Sequence, residues 1–309
     1  MKIYHNIDEF VRLKNAVVTI GTFDGVHIGH RKIISGIKEL AEKTGGETVM
    51  LTFFPHPRMI LHPEDESIRL INTIDEKAQL LDQLGIDHLI ITPFSRDFSN
   101  QGPDEYIRDI LVNKIGTKKI VIGYDHRFGK DRQGSLDDLL RVGPVYGFDV
   151  VEIPEQDINE VAISSTRIRK ALSHGEIELA NTFLGYPFFI TGTVIRGDQV
   201  GRQIGYPTAN IIIEERYKLI PSDGIFAVKL KVADAAYKGM AYIGTRPTLN
   251  GITHNIEVNI FDFNEEIYNR RIRMEFHNFI RGDMKFSSID ELKARIAKDK
   301  IEVMGMLGD

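Results

Sequence analysis

Up to about residue 180 the apolar positions fall in short unbroken runs, and the stretches between them repeat at helical spacing. The runs are AVVTIG at 16–21, TVMLTFF at 48–54, HLIIT at 88–92, KKIVIG at 118–123 and FDVVEI at 148–153. A strand buried on both faces has no polar side to show, so continuous β-branched runs predict parallel strands. Between them HRKIISGIKELAEK, DEKAQLLDQLG, PDEYIRDILVNKIG and SLDDLLRVG predict helices, several of them stopped by glycine. Strand and helix in alternation predict an α/β unit, a parallel sheet with helices on both faces. Its ligands are expected beyond the carboxyl ends of the strands.

The pattern then changes. SSTRIRKALSHGEIELANTFLG at 164–185 predicts two short helices divided at Gly175. Beyond Tyr186-Pro187 the chain is strand-like: FFITGTVIRG, GIFAVKLKV, YKGMAYIG, HNIEVNIFDF and RIRMEFHNFI. Ile256, Val258 and Ile260 alternate with Glu257, Asn259 and Phe261, and Ile272, Met274 and Phe276 alternate with polar neighbours. Period two marks strands with one buried face. Several of them in succession predict a small antiparallel β-barrel. SSIDELKARIAKD at 287–299 predicts a capped amphipathic helix that closes the chain. The expected division is a first domain at 1–186 and a barrel domain at 187–309, with no internal repeat and no low-complexity tract.

A chain of 309 residues with 42% hydrophobic and 27% charged residues can build two packed cores. It has no cysteine, which excludes a disulfide framework, a thiolate metal site and a cysteine nucleophile. MKIYHNIDEF lacks the apolar core of a secretory signal. No run approaches the roughly 20 apolar residues of a membrane span. A soluble, cytoplasmic protein without a membrane partner is expected. Residues 187–309 carry 17 basic and 16 acidic side chains, and residues 1–186 carry 22 and 28. Neither part has the positive field that nucleic-acid binding usually needs, so no nucleic-acid partner is expected, and no obligate protein partner is evident. Anionic ligands must be held locally.

The first strand runs straight into Gly21-Thr22-Phe23-Asp24-Gly25-Val26-His27-Ile28-Gly29-His30, where a helix begins. Glycines allow a tight turn, and a helix N-terminus offers free N–H groups to phosphate. His27 and His30, three apart, can face one ligand and donate hydrogen bonds as charge develops. Surface histidines beside a turn are the plain alternative. A zinc site would need a third ligand, for which His56 in Pro55-His56-Pro57 is the candidate. Ser164, Ser165 and Thr166 can cap the helix that carries Arg167, placing that guanidinium for phosphate oxygens. Asp125, in GYDHRFG at a strand end, is placed for ribose hydroxyls. All three segments follow strand ends of the same expected sheet.

GTFDGVHIGH, TFFPHP, GYDHRFGKDRQG and ISSTRIR, in that order, resemble the bacterial FMN adenylyltransferase module of the His-x-Gly-His nucleotidyltransferase superfamily. The resemblance implies a Rossmann-like nucleotidyltransferase domain. It implies that His27, His30, Ser164, Thr166 and Arg167 hold ATP phosphates and that Asp125 contacts ribose. Thr22, Phe23, Gly25 and Ser165 would complete the nucleotide site. Phe54 and Arg127 would lie on the flavin side. His126 stands where the family usually has Phe. The implied reaction is in-line attack of the FMN phosphate on the ATP α-phosphorus with loss of pyrophosphate, assisted by Mg²⁺.

The second domain has no GxxxxGKS or GxxxxGKT loop, which excludes a Walker-type kinase. Instead Gly192, Gly197, Gly201-Arg202 and Gly205-Tyr206-Pro207-Thr208-Ala209-Asn210 can form a loop that approaches phosphates closely. Glycines also serve barrel corners. Thr208 and Asn210, two apart in a strand, can offer oxygens to magnesium. Glu257 can accept a proton from a substrate hydroxyl or be an exposed strand carboxylate. GRQIGYPTAN, GTRPT, IEVNIFDF and KFSSIDELKARIAKD resemble the riboflavin kinase barrel along its length. That resemblance assigns Thr208 and Asn210 to Mg²⁺-ATP, Gly201 and Gly205 to the nucleotide, Arg281 to the flavin, and Glu257 as the base for the ribityl hydroxyl. Asn269 stands where the family usually has Gly. Together the two modules resemble the bifunctional riboflavin kinase/FMN adenylyltransferases, whose substrates are riboflavin, FMN and ATP. Two rivals have distinct signatures. An aminoacyl-tRNA synthetase would show a KMSKS-like loop and a basic module, and a flavin-binding sensor would have lost the polar residues named above.

Overall fold

The computed structural model describes residues 1–65, 67–123, 127–153, 163–197, 200–233, 235–248 and 251–308. Contacts divide the chain into two compact units, Met1–Ser164 and Ser165–Asp309.

The first unit is built on a six-stranded sheet of β1 (Lys2–Tyr4), β2 (Ala16–Ile20), β3 (Glu47–Phe53), β4 (His88–Thr92), β5 (Thr117–Gly123) and β6 (Asp149–Ile153). Their order is β1-β4-β3-β2-β5-β6, and every pairing is parallel. The helices are α1 (Ile28–Thr44), α2 (Pro57–Leu61), α3 (Ile74–Gln83), α4 (Arg96–Ser99), α5 (Pro103–Tyr106) and α6 (Leu136–Tyr146), with a π-helical stretch at Ile107–Ile115. β2 and β4 are buried along their whole length, as their unbroken apolar runs require. Ala16, Val18, Ile20, Ile120 and Ile122 share one core with the π-helical stretch and α6. α1 lies on the opposite face, where Gly36 leaves room for Ile153 and Val121. β3 and β5 flank β2, so the order of strands reverses there. A crevice for ligand is expected at such a switch point. The pattern did not reveal β1, which is too short to show a period. It is held to the sheet edge by Tyr4, whose hydroxyl meets His88 Nδ1 at 3.1 Å, while His88 Nε2 meets Glu47 at 2.9 Å.

The second unit opens with α7 (Ser165–Ser173) and α8 (Ile177–Leu184). Gly175 and Gly185, at φ 76° and 74°, stop them in the left-handed region that favours glycine. The expected boundary at 186 follows the change of pattern; by contact, this helix pair groups with the barrel. Asn181 explains why: its amide donates to the Phe276 carbonyl at 2.9 Å and accepts from Phe188 N at 2.7 Å.

The barrel is closed and antiparallel. It comprises β7 (Phe189–Ile195), β8 (Ala209–Ile212), β9 (Gly224–Val232), β10 (Ala235–Thr248), β11 (Gly251–Ile260) and β12 (Arg271–Arg281), in the order β10-β11-β8-β7-β12-β9. A short helix, α9 (Val200–Gln203), lies between β7 and β8. Ile256, Val258, Ile272, Met274 and Phe276 are buried, the inward half of the period-two pattern. Phe226 meets Phe276 edge to face at 5.3 Å inside.

α10 (Ile289–Leu307) closes the chain, with Ser288 accepting from Glu291 N at its start. It runs past the expected end at 299 because Val303 and Leu307 pack on the barrel. Asp299 is fully buried within it and receives Arg281 at 2.8 Å and Arg295 at 2.7 Å. Removing one member of a buried ion pair typically costs about 3–5 kcal/mol. Asp299→Ala is therefore expected to destabilise the barrel unit by about 3 kcal/mol in urea unfolding of the whole chain. A loss below about 1 kcal/mol would mean that the guanidiniums are accommodated without it.

Candidate active sites

The turn between β2 and α1 is bent more sharply than its sequence suggests. Gly25 takes φ 91°, and Phe23 and Val26 take 45° and 38°, a region that a β-branched residue rarely enters. Packing over-determines the turn, since Phe23 and Val26 are buried. Asp24 is buried too, and its Oδ1 accepts from Ile71 N at 2.9 Å and from Asn72 N at 3.4 Å. Lys77, a buried side chain on α3, donates from Nζ to the Thr22 carbonyl at 2.6 Å.

His27 and His30 come together at the start of α1. Their rings stack with centroids 3.6 Å apart, and Phe23 lies 5.0 Å from the His30 ring. His27 caps the helix, with Nδ1 accepting from His30 N at 3.4 Å. That bond leaves the His27 proton on Nε2. Burial, the neighbouring His27 and the Lys77 ammonium hold the His30 imidazole well below the usual histidine range. His30 is therefore neutral at pH 7, ready to donate one hydrogen bond.

Other predicted residues are placed as follows. Phe54 follows β3, with its N–H donating to the Thr92 carbonyl at 3.1 Å. His56 caps α2, accepting from Arg58 N at 3.2 Å. Arg127 is exposed. Asp125 and His126 lie outside the described residues. Beside the same carboxyl edge of the sheet runs a chain of aromatic rings. Phe53 meets Phe98 at 5.5 Å, Phe98 meets Tyr106 at 6.0 Å, and Tyr106 meets Phe128 at 5.5 Å. Ser164 ends the first unit, and Ser165, Thr166 and Arg167 begin α7 in the second. The Arg167 guanidinium lies over the Phe183 ring at 5.1 Å.

In the barrel, β8 and β11 pair so that Asn210 faces Glu257. The Thr208 hydroxyl donates to Glu257 Oε2 at 2.9 Å, and Asn255 Nδ2 donates to Oε1 at 2.7 Å. Asn259, buried, anchors the preceding residue by donating to the Pro207 carbonyl at 2.7 Å. A Cβ on Gly197 would collide with the Asn210 amide, and one on Gly201 with the Tyr206 carbonyl. The glycines are thus needed for close approach. Gly205 additionally takes φ 88°. Asn269 takes φ 61°, a conformation that asparagine tolerates better than most residues. Arg281 gives its guanidinium to Asp299. Hydroxyl, amide and carboxylate oxygens gathered in one place form a donor set that suits Mg²⁺ shared with phosphates.

Residues 10–167 match the FAD synthetase family and residues 184–307 the riboflavin kinase family. Proteins described as bifunctional riboflavin kinase/FMN adenylyltransferase align over nearly the full chain. The one from Listeria monocytogenes is 37% identical across 96% of this chain and 95% of its own length. Those from Bacillus subtilis and Escherichia coli are 38% and 36% identical, across 94% and 98% of this chain and 92% and 96% of theirs.

The chain belongs to the bifunctional riboflavin kinase/FMN adenylyltransferase family.

A crystal structure described as a macrolide-efflux protein from Streptococcus pneumoniae shares the fold. It is 31% identical, has a TM-score of 0.89 and covers 98% of both chains. Among the described residues of this family member, no helix is long and apolar enough to cross a membrane. Sequence reasoning missed Asp24, Lys77 and Asn255. Asp24 lies inside the GTFDG motif and could have been singled out. Lys77 had no signal, because a lysine within an amphipathic helix reads as part of its solvated face.

The depressed His30 has a consequence for stability. Its unfolded form binds a proton near pH 6.5, while the folded form binds it only at lower pH. Stability is present above 6.5 and lost as pH falls below it. His30→Gln is expected to flatten the pH dependence of unfolding between pH 6.5 and 5. Chemical unfolding at several pH values measures this, and an unchanged slope would place the His30 proton elsewhere.

Proposed function

We propose that the two reactions are divided between the constellations just described, adenylyl transfer at the β2–α1 turn and riboflavin phosphorylation at β8–β11. The functional modules are taken as 1–186 and 187–309. The observation that carries the reading is that each family-matched segment gathers its own polar cluster at a glycine-lined approach. The chain phosphorylates riboflavin to FMN and adenylylates FMN to FAD, with ATP as donor in both steps, acting in the cytoplasm.

In the kinase step, Glu257 takes the proton of the terminal ribityl hydroxyl as its oxygen bonds to the γ-phosphorus. The γ-phosphorus–oxygen bond to ADP then breaks. Thr208 and Asn255 orient the carboxylate toward that role. Thr208 and Asn210 would hold Mg²⁺, which neutralises phosphate charge when bound. Gly201 and Gly205 let the backbone come close to the nucleotide, and Arg281, held by Asp299, is assigned to the flavin.

In the transferase step, an FMN phosphate oxygen attacks the α-phosphorus and the bond to pyrophosphate breaks. No protein nucleophile takes part. Thr22, Phe23 and Gly25 lend backbone to the nucleotide, and His27 and His30 donate to phosphate oxygens as charge shifts. Ser164, Ser165, Thr166 and Arg167 are assigned to phosphate and Asp125 to ribose. Phe54 and Arg127 are assigned to the flavin. The partly buried Phe53 and Phe98, at one end of the aromatic chain, suit a planar ring system.

Chromatography of the purified chain, given ATP and Mg²⁺ with riboflavin in one tube and FMN in another, tests both steps. Glu257→Ala is expected to lower FMN formation by about 10²–10⁴-fold and to leave FMN-to-FAD conversion intact. His30→Ala with Arg167→Ala should do the reverse, by about 10²–10³-fold or more. Loss of both activities from Glu257→Ala would overturn the division. An undiminished rate of FAD synthesis in the double variant would overturn the first site.

A further inference from the structure

Lys77 is 4% exposed on an amphipathic helix, buried together with Glu76, whose carboxylate is occupied by the Thr73 cap. Burying an ammonium is unfavourable unless something holds it. Desolvation lowers its pKa to about 8 in spite of the Asp24 carboxylate nearby. A group kept inside at such a cost is expected to act on what it touches, and it touches the Thr22 carbonyl at 2.6 Å.

That carbonyl belongs to the same planar peptide unit as the Phe23 N–H, and in a trans peptide the two point in opposite directions. Drawing the oxygen toward α3 therefore turns the Phe23 N–H away from α3. No acceptor among the described residues takes that N–H. Phe23 itself is strained at φ 45° and packs 5.0 Å from the His30 ring. The tie is reciprocal: the turn sends Asp24 to the backbone that leads into α3, and α3 sends Lys77 back to the turn.

We propose that Lys77 is a positioning residue for adenylyl transfer, which fixes the Thr22–Phe23 peptide so that the Phe23 N–H faces the ATP phosphates. The inference rests on the first unit being the adenylyl-transfer site. Around Lys77 the charged or titratable groups are Asp24 on the turn, His30 on α1 and the buried Glu76 beside it on α3. When the ammonium loses its proton the hold on the carbonyl weakens, and with it the orientation of the N–H.

The test uses the full-length chain with FMN saturating, Mg²⁺ present and ATP varied. Lys77→Met is expected to raise the KM for ATP in FAD synthesis by about tenfold, the loss of one charge-assisted positioning contact. Lys77→Arg is expected to restore most of it. Riboflavin phosphorylation by the same preparations should keep its KM for ATP. In the wild-type chain the KM for ATP in FAD synthesis should climb between pH 7 and 9, and Lys77→Met should lack that rise. A wild-type KM for ATP in Lys77→Met overturns the proposal, whether or not kcat falls, since a purely structural lysine would reduce only the active fraction. Should Lys77→Met not fold, the wild-type profile decides, and a flat KM from pH 7 to 9 overturns the proposal. A wild-type chain that makes no FAD from FMN overturns the site assignment itself, which is a different result.

Discussion

A parallel strand buried on both faces must release its chain at the sheet edge, and β2 releases it into a turn that cannot relax. Within a few residues the backbone has to leave the sheet, reverse and start α1 with its first N–H groups bare. Phe23 and Val26 accept left-handed backbone for this, at φ 45° and 38°. Such conformations cost of order 1–3 kcal/mol each and persist only where the surroundings hold them. Here the holding groups are Asp24 and Lys77, both buried, Asp24 reaching the backbone that leads into α3 and Lys77 reaching back from α3 to the turn. The histidine pair depends on the same turn, because Phe23 packs against His30 and His27 caps the helix that carries it.

The barrel solves a related problem by other means. Its polar cluster must sit on a wall whose alternate side chains face a packed interior. Register does the work: Asn210 opposes Glu257, while Ile256 and Val258 turn inward on either side. Thr208, just ahead of the strand, closes on the Glu257 carboxylate from the glycine-rich approach. Asn255 and Asn259 support the arrangement from β11 itself, one on the carboxylate and one on the Pro207 carbonyl. The expected strand carboxylate is thus a held carboxylate, which a solvated one would not be.

Much of this was legible in the sequence because two periods differ so plainly. Unbroken runs gave β2 to β6, and alternation gave the buried halves of β11 and β12. The GTFDGVHIGH and PTAN motifs marked both clusters. What stayed hidden had no local signature. β1 is short and is fixed by a tyrosine and a histidine far apart in sequence. The last turns of α10 pass a buried aspartate that reads as polar until its two arginines are known. Helices α7 and α8 join the barrel through Asn181, Glu178 and the Leu172 carbonyl, contacts that no pattern announces. Lys77 is concealed by the same logic, since burial of a lysine is a tertiary fact.

The two chemistries make opposite demands on a proton, and the clusters differ accordingly. A neutral ribityl hydroxyl becomes a good nucleophile only as its proton leaves, so the kinase step needs an acceptor, the role proposed for the Glu257 carboxylate held by Thr208 and Asn255. An FMN phosphate carries its negative charge already, so the transferase step has no proton to remove. What it needs are donors that strengthen as charge moves to the departing pyrophosphate. A His30 imidazole kept neutral chiefly by burial can donate without adding a standing charge, and so without a standing attraction for every passing phosphate. On the proposed division, the low proton affinity of His30 and the shared hydrogen bonds of Glu257 are two answers to one question: which side of the reaction lacks charge at the start.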